Sequence, residues 1–129
     1  MNNINIVNLL LISVDYKFSK PKKEDISVTV NDEIQVIDIE NNTSVLHMIR
    51  TLSFDEAYTS YVRITFEVVL EAEDELNKED LANSIKAGLP KLNTVYSRIS
   101  LLISDICKLS PFGIIITPPT YNAKKLLIR

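Results

Sequence analysis

The stretch YTSYVRITFEVVLEAEDELNKEDLANSIKAGLPKLNTVYSRISLLISDIC, from Tyr58 to Cys107, changes its hydrophobic period once, near Asp74. Before that point Tyr58, Val62, Ile64, Phe66, Val68, Leu70 and Ala72 share one parity. Thr59, Tyr61, Arg63, Thr65, Glu67, Glu71 and Glu73 share the other, with Val69 the apolar exception. A period of two is that of a strand with one buried face. After it, Asn77 stands where a helix cap belongs, and Glu79 and Asp80 follow in the first turn, where the helix dipole favours acids. Leu81, Ala82 and Ile85 form a short apolar stripe that Gly88 ends. Pro90 then opens a longer helix along which Leu92, Val95, Tyr96, Ile99, Leu102, Ile103 and Ile106 recur at spacings of three and four. Sheet first and helices after predicts an α+β fold, with both helices on one face of the sheet.

Working outward, three further extended runs precede this stretch. Ile4 to Phe18 reads as a long strand of mixed alternation, closed by the breakers Ser19-Lys20-Pro21-Lys22-Lys23. Ile26, Val28, Val30, Ile34 and Val36 share one parity, and Asn31-Asp32-Glu33 between them suggests a bulge or bend. Asn41-Asn42 is a turn signal, and Thr43 to Phe54 follows as the third run. The expectation is a four-stranded antiparallel sheet, a meander or a close relative, then a short and a long helix. Beyond the long helix, Ser110-Pro111 stops the helical pattern, and Ile114-Ile115-Ile116 and Pro118-Pro119 do not resume it. No repeat or low-complexity segment divides residues 1–129, so a single domain is expected.

Composition narrows the chemistry. The 129 residues are 46% hydrophobic, with one Cys, one His, two Gly and a net charge of −3. One cysteine makes neither an intrachain disulfide nor a thiolate zinc cluster, and His47 alone makes no multi-histidine metal site. Gly88 and Gly113 are too far apart for a phosphate-cradling loop. The acidic balance argues against nucleic-acid binding, and the small basic groups Lys20, Lys22, Lys23 and Lys124, Lys125, Arg129 read as solubilising. Asn2, Asn3 and Asn5 stand where an export signal needs a basic region, and the apolar run from Val7 to Val14 is too short to span a bilayer. A cytoplasmic protein with no cofactor, no metal and no catalytic group is expected. His47 alternates with Val45 and Ile49 as a strand residue, and Cys107 reads as a small hydrophobe at the end of an apolar helix.

Three groups are candidates for binding. Glu67, Glu71 and Glu73 project from one strand face and either meet a basic partner or form a solvated face. Phe112, Ile114, Ile116 and Tyr121, in a proline-bounded segment, either line a groove for an extended client or cover the core. The stripe Leu92, Val95, Tyr96, Ile99, Leu102, Ile103 and Ile106 is wide enough, with Leu101 and Leu109, to suggest a subunit interface over a purely internal core. A small-ligand pocket under the helices is a further, weaker reading.

In element order the chain resembles the SecB family of export chaperones over nearly its whole length. Pro90, Tyr96 and Arg98 match the proline, tyrosine and arginine of that family's long helix. Pro111-Phe112-Gly113, the three isoleucines and Pro118-Pro119-Thr120-Tyr121 are similar to its C-terminal signature. The resemblance implies an ATP-independent holdase that binds unfolded or extended polypeptides, assembles as a homodimer or homotetramer, and passes clients to a SecA-type motor through an acidic sheet face. A subset of the family instead serves a single antitoxin, which is the alternative expectation here. Arg98 reads either as a buried anchor for a carboxylate or carbonyl, which the resemblance favours, or as an exposed residue. Two differences stand beside the resemblance: the link Ser19 to Asp25 is short and lacks the family's aromatics, and the tail is basic where the export chaperones end acidic.

Overall fold

The computed structural model describes residues 3–20, 27–55, 59–122 and 126–129. Tyr58, Ile26, Lys124, Lys125 and most of the link from Ser19 to Asp25, all named above, lie outside the described residues. Strands β1 (Ile4–Lys17), β2 (Thr29–Glu40), β3 (Thr43–Ser53) and β4 (Tyr61–Ala72) precede helices α1 (Lys78–Ala87) and α2 (Pro90–Cys107), and a two-residue β5 (Leu127–Ile128) follows. The sheet order is β1-β4-β3-β2-β5, with the first four strands antiparallel and β5 parallel to β2. Strands β2, β3 and β4 form a meander, and β1 crosses to the far side of β4. This is the Greek-key relative of a meander, with β5 as an addition that the sequence pattern did not announce.

Local chemistry explains the corners. The β2–β3 hairpin closes on Asn41-Asn42, and Asn41 takes a φ of 54°, a left-handed conformation that asparagine tolerates. The Asn77 side chain accepts from the Asp80 amide at 2.8 Å and caps α1. Gly88, at φ 104°, turns the chain between the helices, and Pro90 sits at the start of α2.

The helix-facing side of the sheet carries Ile34, Leu46, Met48, Leu52, Val62, Ile64, Phe66, Val68 and Leu70. All of them join one cluster with Leu81 and Ile85 of α1 and with the inner stripe of α2. That stripe requires a correction. Leu92, Val95, Tyr96, Ile99 and Ile103 are buried inside this chain's own core, so they present no surface to a second subunit. Leu102 and Ile106 are half-buried against the same cluster. One sheet face suffices for the stripe because β4 supplies an unbroken run of apolar positions beneath it, and β3 a run interrupted only by Arg50. Burying each such side chain is worth roughly 1.5–3 kcal/mol. On α2 itself, Leu101 remains exposed.

Candidate functional site

Strand β1 pairs with β4 on one side and has no strand on its other edge among the described residues. Its register slips between Ile6 and Asn8 and again between Leu11 and Ser13. Each slip inserts one residue, Val7 and Ile12, and restores the inward parity beyond it. Ile4, Ile6, Leu9, Leu11, Val14 and Tyr16 therefore oppose the inward β4 positions Ala72, Leu70, Val68, Phe66, Ile64 and Val62. The two bulges are the physical origin of the mixed alternation. Only Ile4, Ile6 and Leu9 are partly covered by the core. Val7, Leu10, Leu11, Ile12, Val14 and Tyr16 are 39% to 56% exposed, a concentration of large apolar side chains on an edge strand.

A groove of about 570 Å³ runs between this strand and α2, lined by Asn5 to Leu9 on one wall and Lys91, Thr94, Val95 and Arg98 on the other. Lys91 bridges the groove by donating to Asn5 Oδ1. Arg98 is exposed there, the second of its two readings, and not the buried anchor that the resemblance favours. The groove itself thus carries cationic and amide groups, and beyond it along β1 lie uncovered aliphatics. Beyond them lies an aromatic cluster. Tyr16 stands 5.6 Å from Phe18, Phe18 stands 6.3 Å from Phe112, and Phe112 stacks on Phe54 at 4.2 Å.

The four groove candidates separate into two kinds. Phe112 and Tyr121 turn inward: Phe112 enters the aromatic cluster, and the Tyr121 hydroxyl accepts from the Leu89 amide at 2.7 Å and donates to Ile85 O at 2.8 Å. Burial pushes the Tyr121 phenol above its usual pKa, with the Leu89 amide opposing. Ile114 and Ile116 turn outward, 65% and 84% exposed. The isoleucine run therefore presents two of its three side chains to solvent, and Ile115 packs on the core. Glu67, Glu71 and Glu73 lie together on the sheet face opposite the helices. Glu67 meets His47 Nε2 at 3.1 Å, Glu73 accepts from Asn3 at 3.1 Å, and Glu71 and Glu73 are exposed. Cys107 is fully buried, and burial pushes its thiol pKa up.

The sequence reading passed over Arg50, which is fully buried. Its guanidinium binds Asp32 twice, at 2.7 and 2.8 Å, and donates to Thr117 Oγ1 at 3.2 Å, to Pro118 O and to Thr120 O at 3.2 Å. It lies 4.9 Å over the Tyr96 ring. Ser100 adds a bond to Thr117 O at 2.7 Å, and Ser97 one to Pro119 O at 3.1 Å. The proline segment is thereby clamped across the sheet and α2. A signal existed: Arg50 falls between Met48 and Leu52 on the buried parity of β3, and Asp32 falls between Val30 and Ile34 on that of β2.

No protein-family model matches the sequence, and no curated protein matches it. Among solved structures, the chain is similar to a Mycobacterium tuberculosis SecB-like chaperone, determined in complex with a ChAD peptide from the HigA1 antitoxin. The identity is 15%, 89% of each chain is covered, and the TM-score is 0.65. A protein of unknown function from Streptococcus agalactiae matches at 6% identity over 92% of this chain and 98% of that one, with a TM-score of 0.47. With its four antiparallel strands, following helix pair and added fifth strand, this chain has the fold of a SecB-like chaperone.

Proposed function

We propose that this protein is a non-enzymatic, nucleotide-independent chaperone of the cytoplasm that holds extended polypeptide along β1. The observation that carries this reading is the β1 edge. Six large apolar side chains are exposed on a strand whose outer backbone edge is unpaired among the described residues, beside a groove against α2. An extended client adds to such an edge through its main chain, so sequence matters little, and the uncovered aliphatics and Tyr16 take its apolar side chains. Ile114 and Ile116 extend the apolar surface available to a long client. Glu71 and Glu73, exposed on the opposite face, offer carboxylates to a basic partner such as a motor protein.

The test is light scattering of several unrelated denatured proteins. Suppression of their aggregation near stoichiometric ratio, lost in Leu11→Lys, supports the reading, and no suppression at any ratio refutes it. A second reading rests on the polar lining of the groove, where Asn5, Asn8, Lys91 and Arg98 offer more discrimination than a general holdase requires. A dedicated partner, such as an antitoxin segment carrying an acidic residue beside apolar ones, fits that lining. It would bind tightly while general suppression is absent. Homo-oligomers are also expected, with the exposed Leu101 in place of the buried α2 stripe, and sedimentation at micromolar concentration measures them.

A further inference from the structure

The opposite edge of the sheet is occupied by the chain itself. Strand β5 lies parallel to β2, with Leu127 beside Glu33 and Ile128 beside Ile34. Two backbone bonds hold it, Arg129 N to Ile34 O at 2.9 Å and Val36 N to Arg129 O at 2.8 Å. Leu126 is buried and Ile128 packs on the core, so these two alternate positions enter the apolar side, and Leu127 points away from it. On that outer side Arg129 Nε meets Glu33 Oε1 at 2.9 Å, and Gln35 donates to the other Glu33 oxygen at 3.2 Å. The Glu33 side chain is mostly buried, and the Arg129 side chain is mostly exposed. Glu33 is therefore a fixed acceptor in the sheet, and the arginine is the replaceable member.

The attachment is uneven. The segment from Thr117 to Tyr121 is fixed by five polar partners, Arg50, Ser97, Ser100, Leu89 and Ile85, whereas Leu126–Arg129 is held by two main-chain bonds, one half-exposed ion pair and the apolar contacts of Leu126 and Ile128. Loss of β5 leaves the upstream clamp intact. The rest of β2, from Thr29 to Asp32 and from Ile37 to Glu40, has no strand on that edge among the described residues, so a longer segment finds more backbone to pair with than β5 uses.

We propose that the β2 edge is a parallel strand-addition site for an extended partner segment of pattern apolar–any–apolar–basic, and that Leu126–Arg129 is a built-in competitor which such a segment displaces. The resident strand reveals the chemistry of the site: two apolar sockets at alternate positions, and the Glu33 carboxylate for a cation one step beyond the second. The site is separate from the β1 surface and does not depend on the holdase reading. Because a tethered competitor acts at an effective concentration of the order of millimolar, a free segment is strongly disfavoured until the tail is released or outmatched.

The test uses a fluorescein-labelled synthetic peptide of residues 123–129, with binding read by anisotropy and by exchange protection of the Val36 amide. Three proteins are compared: the full chain, the chain lacking 126–129, and full-length Arg129→Glu, which places like charges at Glu33 and keeps the tail. The shortened chain is expected to bind the peptide at least about tenfold more tightly than the full chain, and Arg129→Glu to fall between them. Replacing the peptide's arginine with glutamate is expected to weaken binding about tenfold, and Glu33→Lys in the protein to reverse that preference. Equal binding by all three proteins, or indifference to the charge reversal, overturns the proposal. If the shortened chain does not fold, Arg129→Glu decides alone, and no gain over the full chain overturns it. Leu11→Lys serves as the independent control. It is expected to abolish aggregation suppression and leave tail-peptide affinity unchanged, so the two sites fail separately.

Discussion

Replacing Arg50 with methionine removes a charge that five acceptor contacts and one aromatic face surround, and it leaves the side chain's apolar length in place. Asp32 then keeps a largely buried carboxylate with no cation, and Pro118 O and Thr120 O each lose a donor. Removing one member of a buried ion pair typically costs about 3–5 kcal/mol, mostly from the stranded charge. For a chain of 129 residues the unfolding entropy is about 0.27 kcal/mol/K, so a loss near ~4 kcal/mol lowers Tm by roughly 15 °C. Asp32→Asn in the Arg50→Met background removes the stranded charge, so the double variant should recover about 2 kcal/mol relative to the single one. Urea midpoints of the four proteins close the cycle. Amide exchange at Thr117, Thr120 and Tyr121 reads whether the clamp has opened. A loss below about 1 kcal/mol, or unchanged exchange at those amides, would refute the view that Arg50 ties the proline segment to the sheet.

On β1, Leu11→Lys and Ile12→Lys together should change stability by no more than about 0.5 kcal/mol, since both side chains are exposed, while removing aggregation suppression. An equal loss of stability and activity would assign the edge to folding instead. Gly88→Ala should cost about 1–3 kcal/mol in a urea titration although its Cβ meets no atom within 4 Å, because the cost lies in the φ of 104° alone. A neutral result would show the turn to be adaptable. Stability should also fall on the alkaline side. Burial, then the Asp32 charge, raises the pKa of Tyr96, against the opposing charge of Arg50, so the folded chain holds a proton that the unfolded chain releases above about 10.0. Cys107, raised by burial from 9.0, acts in the same direction. Both contributions are complete below the unfolded values and are lost as pH rises, with Tyr96 giving up to about 1.4 kcal/mol per pH unit. Urea midpoints from pH 8 to 11 should show a shallower fall in Tyr96→Phe.

The parts of the fold that were legible in the sequence are those governed by a single period. The alternation from Tyr61 to Ala72 and the stripe from Leu92 to Ile106 each give element and face directly, because each packs against one continuous surface. The β1 strand was legible as a strand but not as an edge. Its two bulges mix the parities, and a strand apolar on both faces resembles a central one until its neighbours are known. The order of strands was out of reach for the same reason, since pairing β1 with β4 is a nonlocal choice. Strand β5 is two residues long and carries no period at all.

At the candidate sites the same physics divides what was read from what was missed. The α2 stripe was read as wide because Leu101 and Leu109 were added to it. Both are the exposed members, and the remaining apolar positions are those that β3 and β4 cover. Apolar content beyond one sheet and two helices does exist, but it lies on β1 and at Ile114 and Ile116, at the margins of the layer where covering atoms run out. A 14-residue strand outreaches the helix beside it: α1 and α2 cover the central strands, and Leu11, Val14 and Tyr16 point to the helix side with little above them. The two sheet edges then differ in kind. The β2 edge is narrowed by the chain's own strand and by the Arg129–Glu33 pair, which favours one segment pattern. The β1 edge is long, bulged and apolar, which favours many. On the two proposals made above, selective and permissive polypeptide binding fall on opposite edges of one sheet, where neither occupant would interfere with the other's main-chain bonds.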